Sequence, residues 1–255
     1  MKQAILIMCH NEYYILEKLI ELIDYPLIDI YIHVDIKWKN FPFERLKNIV
    51  KKGKIFFTDE RLDVKWGEYS QVECEMILLK QASKKKYKYY HLISGVDLPL
   101  QRIENIFRYF NNQKEEFVAF ESFDYIREDL KERIKEPVDF QLRKGANWFS
   151  ITNNLVNFIL SNEQAIKDIF SNGYCVDEMF IQTLVYNSTF INNVHKECED
   201  EHLNIKRCID WKRGNPYIFK IDDFDNLINS GAFFARKFST NVDKEIIDKI
   251  YEYLT

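Results

Sequence analysis

The chain is poor in the residues that mark several common classes of protein. Its 255 residues include only 7 Gly and 5 Pro, which is too few for a repeat-rich or linker-rich architecture. The five cysteines form no CxxC pair, so the sequence favours neither a zinc site nor a disulfide framework and indicates a reducing compartment. The first apolar run, residues 4–8, is too short for a signal peptide or a membrane span. We therefore expect a cytoplasmic protein, with at most a peripheral association at the inner face of the cell membrane.

An excess of positive charge is also lacking. The formal net charge is −4 at pH 7, so we expect no nucleic-acid partner, and any phosphate-binding site has to be local. Hydrophobic residues make up 46% of the chain, which excludes a disordered protein. The length is sufficient for one large α/β domain with an ample core.

The first hundred residues show the alternation of strands and helices that is typical of a βαβ fold. Continuous apolar runs are typical of parallel strands that helices cover on both faces, and the runs alternate with segments of helical periodicity. The predicted strands are residues 4–8, 29–34, 54–58 and 89–94, and the predicted helices are residues 12–23 and 70–82. We assign residues 1–100 as a nucleotide-binding half and residues 101–255 as an acceptor-binding and catalytic half of a single domain.

The second half is less regular. The predicted strands are residues 117–121, 148–152 and 218–219, and the predicted helices are residues 153–160, 176–186, 223–230 and 243–253. The charged stretch 124–136 is predicted to be a loop and a solvated helix.

Ligands of such sheets bind at the carboxyl ends of the strands, so the residues that follow each strand are candidates. Asp35 could accept hydrogen bonds from a ribose or a base edge, or it could simply end a strand. His10 could contact a ligand or be a structural histidine. Asp97 could bind sugar hydroxyls or form a turn before Pro99. Trp66 and Trp148 could stack on a base or a sugar ring, or be half-buried core aromatics.

A carboxylate and a basic segment lie in the second half of the chain. Glu178 is our candidate for a general base that deprotonates an acceptor hydroxyl, with Asp177 as a helix cap. Arg and Lys can hold a diphosphate and stabilise it as a leaving group. The candidate basic residues are Arg207, Arg213, Arg236 and Lys237.

An Asp-x-Asp pair at the end of a mid-domain strand, which metal-dependent sugar-nucleotide transferases carry, is missing. The second neighbours of Asp97 are Gly95 and Pro99. Asp223-Phe-Asp225 matches the Asp-x-Asp pattern, but it begins a predicted C-terminal helix. Helix capping explains the two acids at that position. We therefore predict no metal and no other cofactor.

Several short segments, taken in order, resemble one enzyme family: core-2/I-branching β-1,6-N-acetylglucosaminyltransferases (glycosyltransferase family 14), which includes the peptide O-xylosyltransferases. The similarity covers nearly the whole chain. The segments that carry it are residues 5–10, 32–35, 64–67, 70–72, 91–99, 145–148, 177–178, 209–211 and 234–238.

The resemblance implies a GT-A-like, Rossmann-type fold with a mixed, mostly parallel sheet flanked by helices. It also implies an inverting, metal-independent transfer of a sugar, GlcNAc first among the donors considered, from UDP. Glu178 matches the catalytic base, and Lys237 with an upstream arginine, Arg213 or else Arg207, matches the diphosphate site. Residues matching Met8, Cys9, His10, Asp35 and Lys37 line the uridine site, and positions matching Asp97 and Trp148 lie near the donor sugar or the acceptor. We ourselves assign Trp66 to the donor site and Arg236 to substrate binding.

The animal members of the family have a membrane anchor, a stem and disulfides. Without these features the chain looks like the bacterial members, which are linked to capsule or surface polysaccharide. The expected acceptor is thus a glycan or a lipid-linked saccharide. The alternative is a module that binds sugar nucleotides or glycans without catalysis.

Overall fold

A computed structural model of the chain describes residues 1–121, 133–134 and 140–255. The predicted loop and helix at 124–136 therefore lie, except for Arg133 and Ile134, outside the described residues. A six-stranded sheet with the order β3-β2-β1-β4-β7-β6 forms the centre of the structure. Its strands are β1 Gln3–Cys9, β2 Ile28–Val34, β3 Lys54–Phe57, β4 Tyr89–Ser94, β6 Phe117–Val118 and β7 Phe149–Thr152.

Most of this sheet is parallel. Strand β1 pairs in parallel with β2 and β4, and β2 pairs in parallel with β3. Strand β7 runs antiparallel to both β4 and β6. This mixed, mostly parallel sheet with flanking helices confirms the predicted GT-A-like fold class.

Helices cover the sheet. The helix Ser70–Ser83 packs on β1 and β2, and the helix Asn153–Ser161 packs on β4 and β7. The other α-helices among the described residues are Tyr13–Ile23, Phe43–Ile49, Ile103–Asn112, Glu163–Phe170, Phe180–Tyr186, Glu201–Asn204, Phe224–Ile228 and Glu245–Leu254. Short 3-10 turns span Val176–Glu178, Thr189–Asn193 and Ile221–Asp223. None of the helices in the described part of the chain is long and apolar enough to cross a membrane.

The apolar runs of the sequence form the buried core of the fold. All seven residues of β2 are buried, and so are six of the seven residues of β1. The helix Tyr13–Ile23 buries one face, which consists of Ile15, Leu16, Leu19, Ile20, Leu22 and Ile23. Burying each such side chain contributes roughly 1.5–3 kcal/mol, so these elements specify the centre of the fold.

A second, three-stranded sheet brings distant parts of the chain together. It has the order β5-β9-β8, with β5 Leu98–Pro99, β8 Arg207–Ile209 and β9 Phe234–Arg236. Strand β9 pairs antiparallel with β5 and parallel with β8. The pairing sets the basic segment at Arg236 beside the turn that contains Asp97.

Three predictions for the second half need correction. Residues 218–219 form no strand; the backbone N–H of Phe219 makes one hydrogen bond, to the carbonyl of Lys237. The predicted helix 176–186 is interrupted at Met179, where φ is −128°, between a 3-10 turn and the helix Phe180–Tyr186. The predicted strand 117–121 pairs only at Phe117–Val118.

Candidate active site

A cavity of about 580 Å³ lies at the edge of the sheet where β1, β2 and β4 end. Ligands of open α/β sheets bind at this edge because the strand-to-helix connections leave a crevice there. Ten of the side chains that we predicted to form a site line this cavity. They are Met8, Cys9, His10, Asp35, Lys37, Trp66, Trp148, Glu178, Arg236 and Lys237.

Asp35 organises the rim of the cavity beyond β2. Its carboxylate accepts the backbone N–H groups of Lys37 (2.8 Å) and Val64 (3.1 Å), and it lies 3.3 Å from the Lys37 ammonium. The ring of His33 accepts the N–H of Leu62 at 3.0 Å. These bonds fix the loop that follows β3 against the loop that follows β2.

His10 is exposed at the end of β1 and faces several charges. Partial desolvation lowers its pKa, against an opposite effect of Asp35, and the cations of Lys237 and Lys37 lower it further. The imidazole is therefore neutral at physiological pH, and it can both donate and accept a hydrogen bond.

Trp66 presents an open indole at the cavity rim. Its side chain is 76% exposed, and it packs edge-on against Tyr174 with the ring centroids 5.6 Å apart. The next residue, Gly67, has φ = 75°, and a Cβ atom there would lie 2.4 Å from the Tyr174 ring. The backbone N–H of Cys175 also bonds the Gly67 carbonyl at 2.8 Å. Trp66 is thus exposed, while the turn at Gly67 that carries it is fixed by its contacts with Tyr174 and Cys175.

Glu178 lies in the 3-10 turn that precedes the helix Phe180–Tyr186. Its carboxylate is 3.2 Å from the Lys144 ammonium, which also contacts Glu121 at 2.7 Å. The carbonyl of Glu178 accepts the N–H of Gly145 at 2.9 Å, and a Cβ atom at Gly145 would lie 2.0 Å from the Ala119 carbonyl. The backbone therefore holds Glu178 at the cavity wall with one carboxylate edge paired to a cation.

Asp177 also lines the cavity, although only 6% of it is exposed. It accepts the side-chain N–H groups of Gln71 (2.8 Å) and Asn147 (3.3 Å). Burial, and then the charge of Glu178, raises the pKa of Asp177 to about 7. Glu75 is fully buried, and neither of its carboxyl oxygens has a hydrogen-bond partner in the described part of the chain. Burial, followed by the charge of Asp177, raises the pKa of Glu75 well above its usual range.

Two of the candidate arginines bind other parts of the protein and do not line the cavity. Arg207 is fully buried and donates to the carbonyls of Ile205 (2.9 Å) and Phe149 (3.0 Å). Arg213 is half-exposed and pairs with Asp210 (2.5 Å) and Asp223 (2.7 Å). Asp223, the first acid of the Asp-x-Asp letters, also accepts the backbone N–H of Lys220 at 2.9 Å and so caps a turn.

Arg236 differs from both. Its guanidinium lies 4.2 Å from the Trp148 ring centroid, and its Nε is 3.8 Å from Asp97. That Nε is buried with no hydrogen-bond partner among the described residues. Asp97 is itself fully buried behind the cavity wall, where it accepts the N–H of Ser94 at 3.1 Å. Asp97 and Trp148 therefore hold the Arg236 guanidinium at the wall of the cavity.

Several lining side chains were not assigned from the sequence, among them His33, Gln71, Asn147 and Trp211. Trp211 is 49% exposed, and its indole N–H bonds the ring of His202 at 3.2 Å. It stands two residues after β8, a strand that the sequence did not reveal, so the strand-end rule could not select it. In the described ranges, no group of three or more His, Cys, Asp and Glu side chains could hold a metal ion.

Xylosyltransferases are among the known proteins whose sequences are similar to this chain. The chain is 23% identical over 259 residues to xylosyltransferase sqv-6 of Caenorhabditis briggsae. This alignment covers 86% of the chain and 32% of that protein. It is 21% identical over 255 residues to xylosyltransferase 2 of Rattus norvegicus, with 86% and 29% covered. The chain thus spans about a third of the length of the curated relatives it matches.

A solved structure of mouse xyloside xylosyltransferase 1 in its apo form aligns with a TM-score of 0.40 and 12% identity, over 92% of this chain and 97% of that one. The model of the Core-2/I-Branching enzyme family matches residues 4–226. That match covers most of the chain, including the cavity residues from Met8 to Pro216, and the protein therefore belongs to this family of glycosyltransferases.

Proposed function

We propose that the protein is an inverting, metal-independent glycosyltransferase. It moves a sugar from a UDP-sugar to a hydroxyl of a glycan or a lipid-linked saccharide, in the synthesis of a surface polysaccharide. One observation carries the proposal: a carboxylate, Glu178, and two adjacent cations, Arg236 and Lys237, line the same cavity. A base and a diphosphate site in one crevice are the two parts that a single-displacement transfer requires.

In this reaction Glu178 accepts the proton of the acceptor hydroxyl as its oxygen attacks the anomeric carbon. The bond from that carbon to the β-phosphate oxygen breaks on the opposite side, so the configuration inverts and UDP departs with the electron pair. A positioned base of this kind contributes typically 10²–10⁴-fold to the rate. Lys144 orients the carboxylate and balances its charge.

Arg236 and Lys237 stabilise the negative charge that grows on the departing diphosphate. Fixed cations aimed at developing charge lower the barrier most where water is excluded, and a guanidinium binds phosphate oxygens in a two-pronged fashion. We assign this role to Arg236 in preference to Arg213 and Arg207. Those two would first have to break their bonds to Asp210 and Asp223, or to buried carbonyl groups.

The uridine lies, in this proposal, against Met8, Cys9, His10, Asp35 and Lys37, where the ends of β1 and β2 adjoin. Trp66 covers it from the rim. GlcNAc is the donor sugar that we expect, and UDP-xylose is the second candidate because the similar proteins are named as xylosyltransferases.

The test compares Glu178→Gln with Glu121→Gln. Both variants remove a carboxylate that pairs with Lys144, but only Glu178 lines the cavity. UDP release is measured with UDP-GlcNAc and UDP-xylose, with saccharide acceptors and with water alone, with and without EDTA.

We expect Glu178→Gln to bind UDP normally and to lose at least about 10²-fold in turnover, while Glu121→Gln stays within a few-fold of wild type. Activity that vanishes in EDTA would reject the metal-independent mechanism. A wild-type protein that binds UDP-sugars but releases no UDP under any of these conditions would instead be the non-catalytic binding module.

A further inference from the structure

The edge of the sheet opposite the cavity is rich in lysine. At this edge β1, β2, β3, β4 and β6 begin and β7 ends, as the pairing of Gln3 with Ile28 and of Tyr89 with Thr152 shows. We call its lysines the lysine edge: Lys2, Lys51, Lys52, Lys54, Lys84, Lys85, Lys86, Lys88 and Lys114. They are concentrated here although the whole chain has a net charge of −4.

Four carboxylates at the same edge are engaged by the protein. Asp24 accepts the backbone N–H groups of residues 51–53. Asp29 is buried and pairs with Lys2 at 2.6 Å. Glu115 pairs with His195 at 2.7 Å, and Glu116 is buried and accepts the hydroxyl of Thr152 at 2.6 Å. Asp24, Asp29 and Glu116 are buried, and the Glu115 side chain is 43% exposed. Of these four acids only Glu115 therefore presents its side chain to the outer surface.

Most of the lysine edge is unpaired. Lys51, Lys52 and Lys54 are exposed and have no side-chain hydrogen bond or ion pair with a described residue, and the same holds for the exposed Lys84, Lys86 and Lys114. An open groove of about 330 Å³ runs between Lys86, Lys88 and Lys114. Amide side chains, Asn153, Asn154 and Asn193 among them, also line the groove, together with the buried Glu116, which is bonded to Thr152. Ammonium groups beside amides suit a phosphate that carries hydroxyl groups.

Two apolar side chains stand out at the same edge. Met1 is 66% exposed and Leu27 is 40% exposed, and Leu27 directly precedes β2. A surface that combines several free lysines with protruding apolar side chains has the character of a membrane-interface site, because the lysines meet anionic headgroups and the apolar groups enter the layer beneath.

We propose that the lysine edge docks the protein on an anionic phospholipid bilayer, with a lipid headgroup in the groove. This inference goes beyond the proposed sugar transfer and does not depend on it. Since β1 spans about 20 Å, the cavity at the other end of the strands would open away from the bilayer. Such an orientation suits an acceptor whose growing end stands off the membrane surface.

The experiment is co-sedimentation of the full chain with phosphatidylcholine vesicles that contain or lack phosphatidylglycerol, at low and high NaCl. We expect binding only to the anionic vesicles, with loss at high salt. The triple variant Lys52→Gln/Lys86→Gln/Lys114→Gln removes one charge from each of three loops, and it should bind about 100-fold more weakly. Its melting temperature and UDP release with a soluble acceptor should not change.

The matched control is Lys167→Gln/Lys220→Gln/Lys249→Gln, which removes three exposed lysines outside the lysine edge and should bind vesicles like wild type. Equal binding to neutral vesicles would overturn the proposal, and so would an equal loss in both triple variants. Retention of the full chain by duplex DNA or heparin without any binding to anionic vesicles would also overturn it and would indicate a different polyanion.

Discussion

The two edges of the six-stranded sheet carry charge in different ways. At the carboxyl edge two of the charged groups that line the cavity are held by partners: Glu178 by Lys144, and Arg236 by Asp97 and Trp148. At the amino edge six of the nine lysines have no side-chain partner among the described residues. Groups that are held in a cavity can act on a defined atom, whereas free groups on an open surface can only attract a polyanion. The two edges therefore differ in how firmly their charges are fixed.

The largest expected effect tests the cations of the carboxyl edge. Lys237→Ala and Arg236→Ala should each lower kcat/KM for the UDP-sugar by about 10²–10³-fold, because each removes a fixed charge beside the leaving diphosphate. Arg213→Ala, which breaks the pairs with Asp210 and Asp223 outside the cavity, should stay within a few-fold of wild type. Steady-state kinetics of UDP release measure all three. A loss in Arg213→Ala as large as in Lys237→Ala would return the diphosphate role to Arg213.

A second, smaller effect compares one buried acid from each edge. Burial raises the pKa of Asp177 at the carboxyl edge to about 7, with help from Glu178, and it raises the pKa of Glu116 at the amino edge to about 7 against the hydrogen bonds of Thr152. The charged groups that face Asp177 are Glu178, Lys144 and, through their electrostatic effects, Glu75 and Arg236.

Both carboxyls hold their proton more tightly in the folded chain than in the unfolded chain. The folded state therefore loses stability as the pH rises from about 4 to about 7. Asp177→Asn and Glu116→Gln should each gain on the order of 2–3 kcal/mol relative to wild type between pH 5 and pH 8. Thermal unfolding at several pH values measures this, and only Asp177→Asn should also alter turnover. A stability difference from wild type that does not change with pH would show that these acids are ionised throughout.

The smallest effect compares the exposed apolar side chains of the two edges. Trp66→Ala should raise KM for the UDP-sugar up to about 10-fold, because one aromatic stacking contact is worth roughly 0.5–1.5 kcal/mol, and it should leave vesicle binding unchanged. Leu27→Ala should weaken vesicle binding and leave the KM for the UDP-sugar unchanged. Steady-state kinetics and vesicle co-sedimentation of both variants measure these two effects. If each variant affected both readouts, the two edges would not be separate surfaces.

Long apolar runs made the centre of the fold predictable. Strands β1, β2 and β4 were predicted to within two residues of their ends. Each is buried on both faces, and this burial appears in the sequence as a continuous apolar run. Strands β8 and β9 have three residues each and contain Arg207 and Arg236, so their state depends on pairing with each other and with β5. No local pattern reveals such pairing.

The cavity was predictable where it follows the long strands and less so elsewhere. Asp35, His10 and Trp66 were selected by the strand-end rule. Glu178 and Lys237 were selected by the chemistry of their side chains and by the resemblance. The partners that remove Arg213 from the cavity lie three and ten residues from it, and the choice between them and a ligand is made only by the tertiary structure. The exposed state of Trp211 likewise depends on β8.

The span of the cavity along the chain has a consequence for how the protein becomes active. Its lining begins at Met8 and ends at Lys237, so nearly the whole chain must be synthesised before the two cations can join the base. A chain that stops before β9 would lack Arg236 and Lys237, the two cations that we propose for the diphosphate site. If the proposed reaction is correct, such a chain would release no UDP from a UDP-sugar.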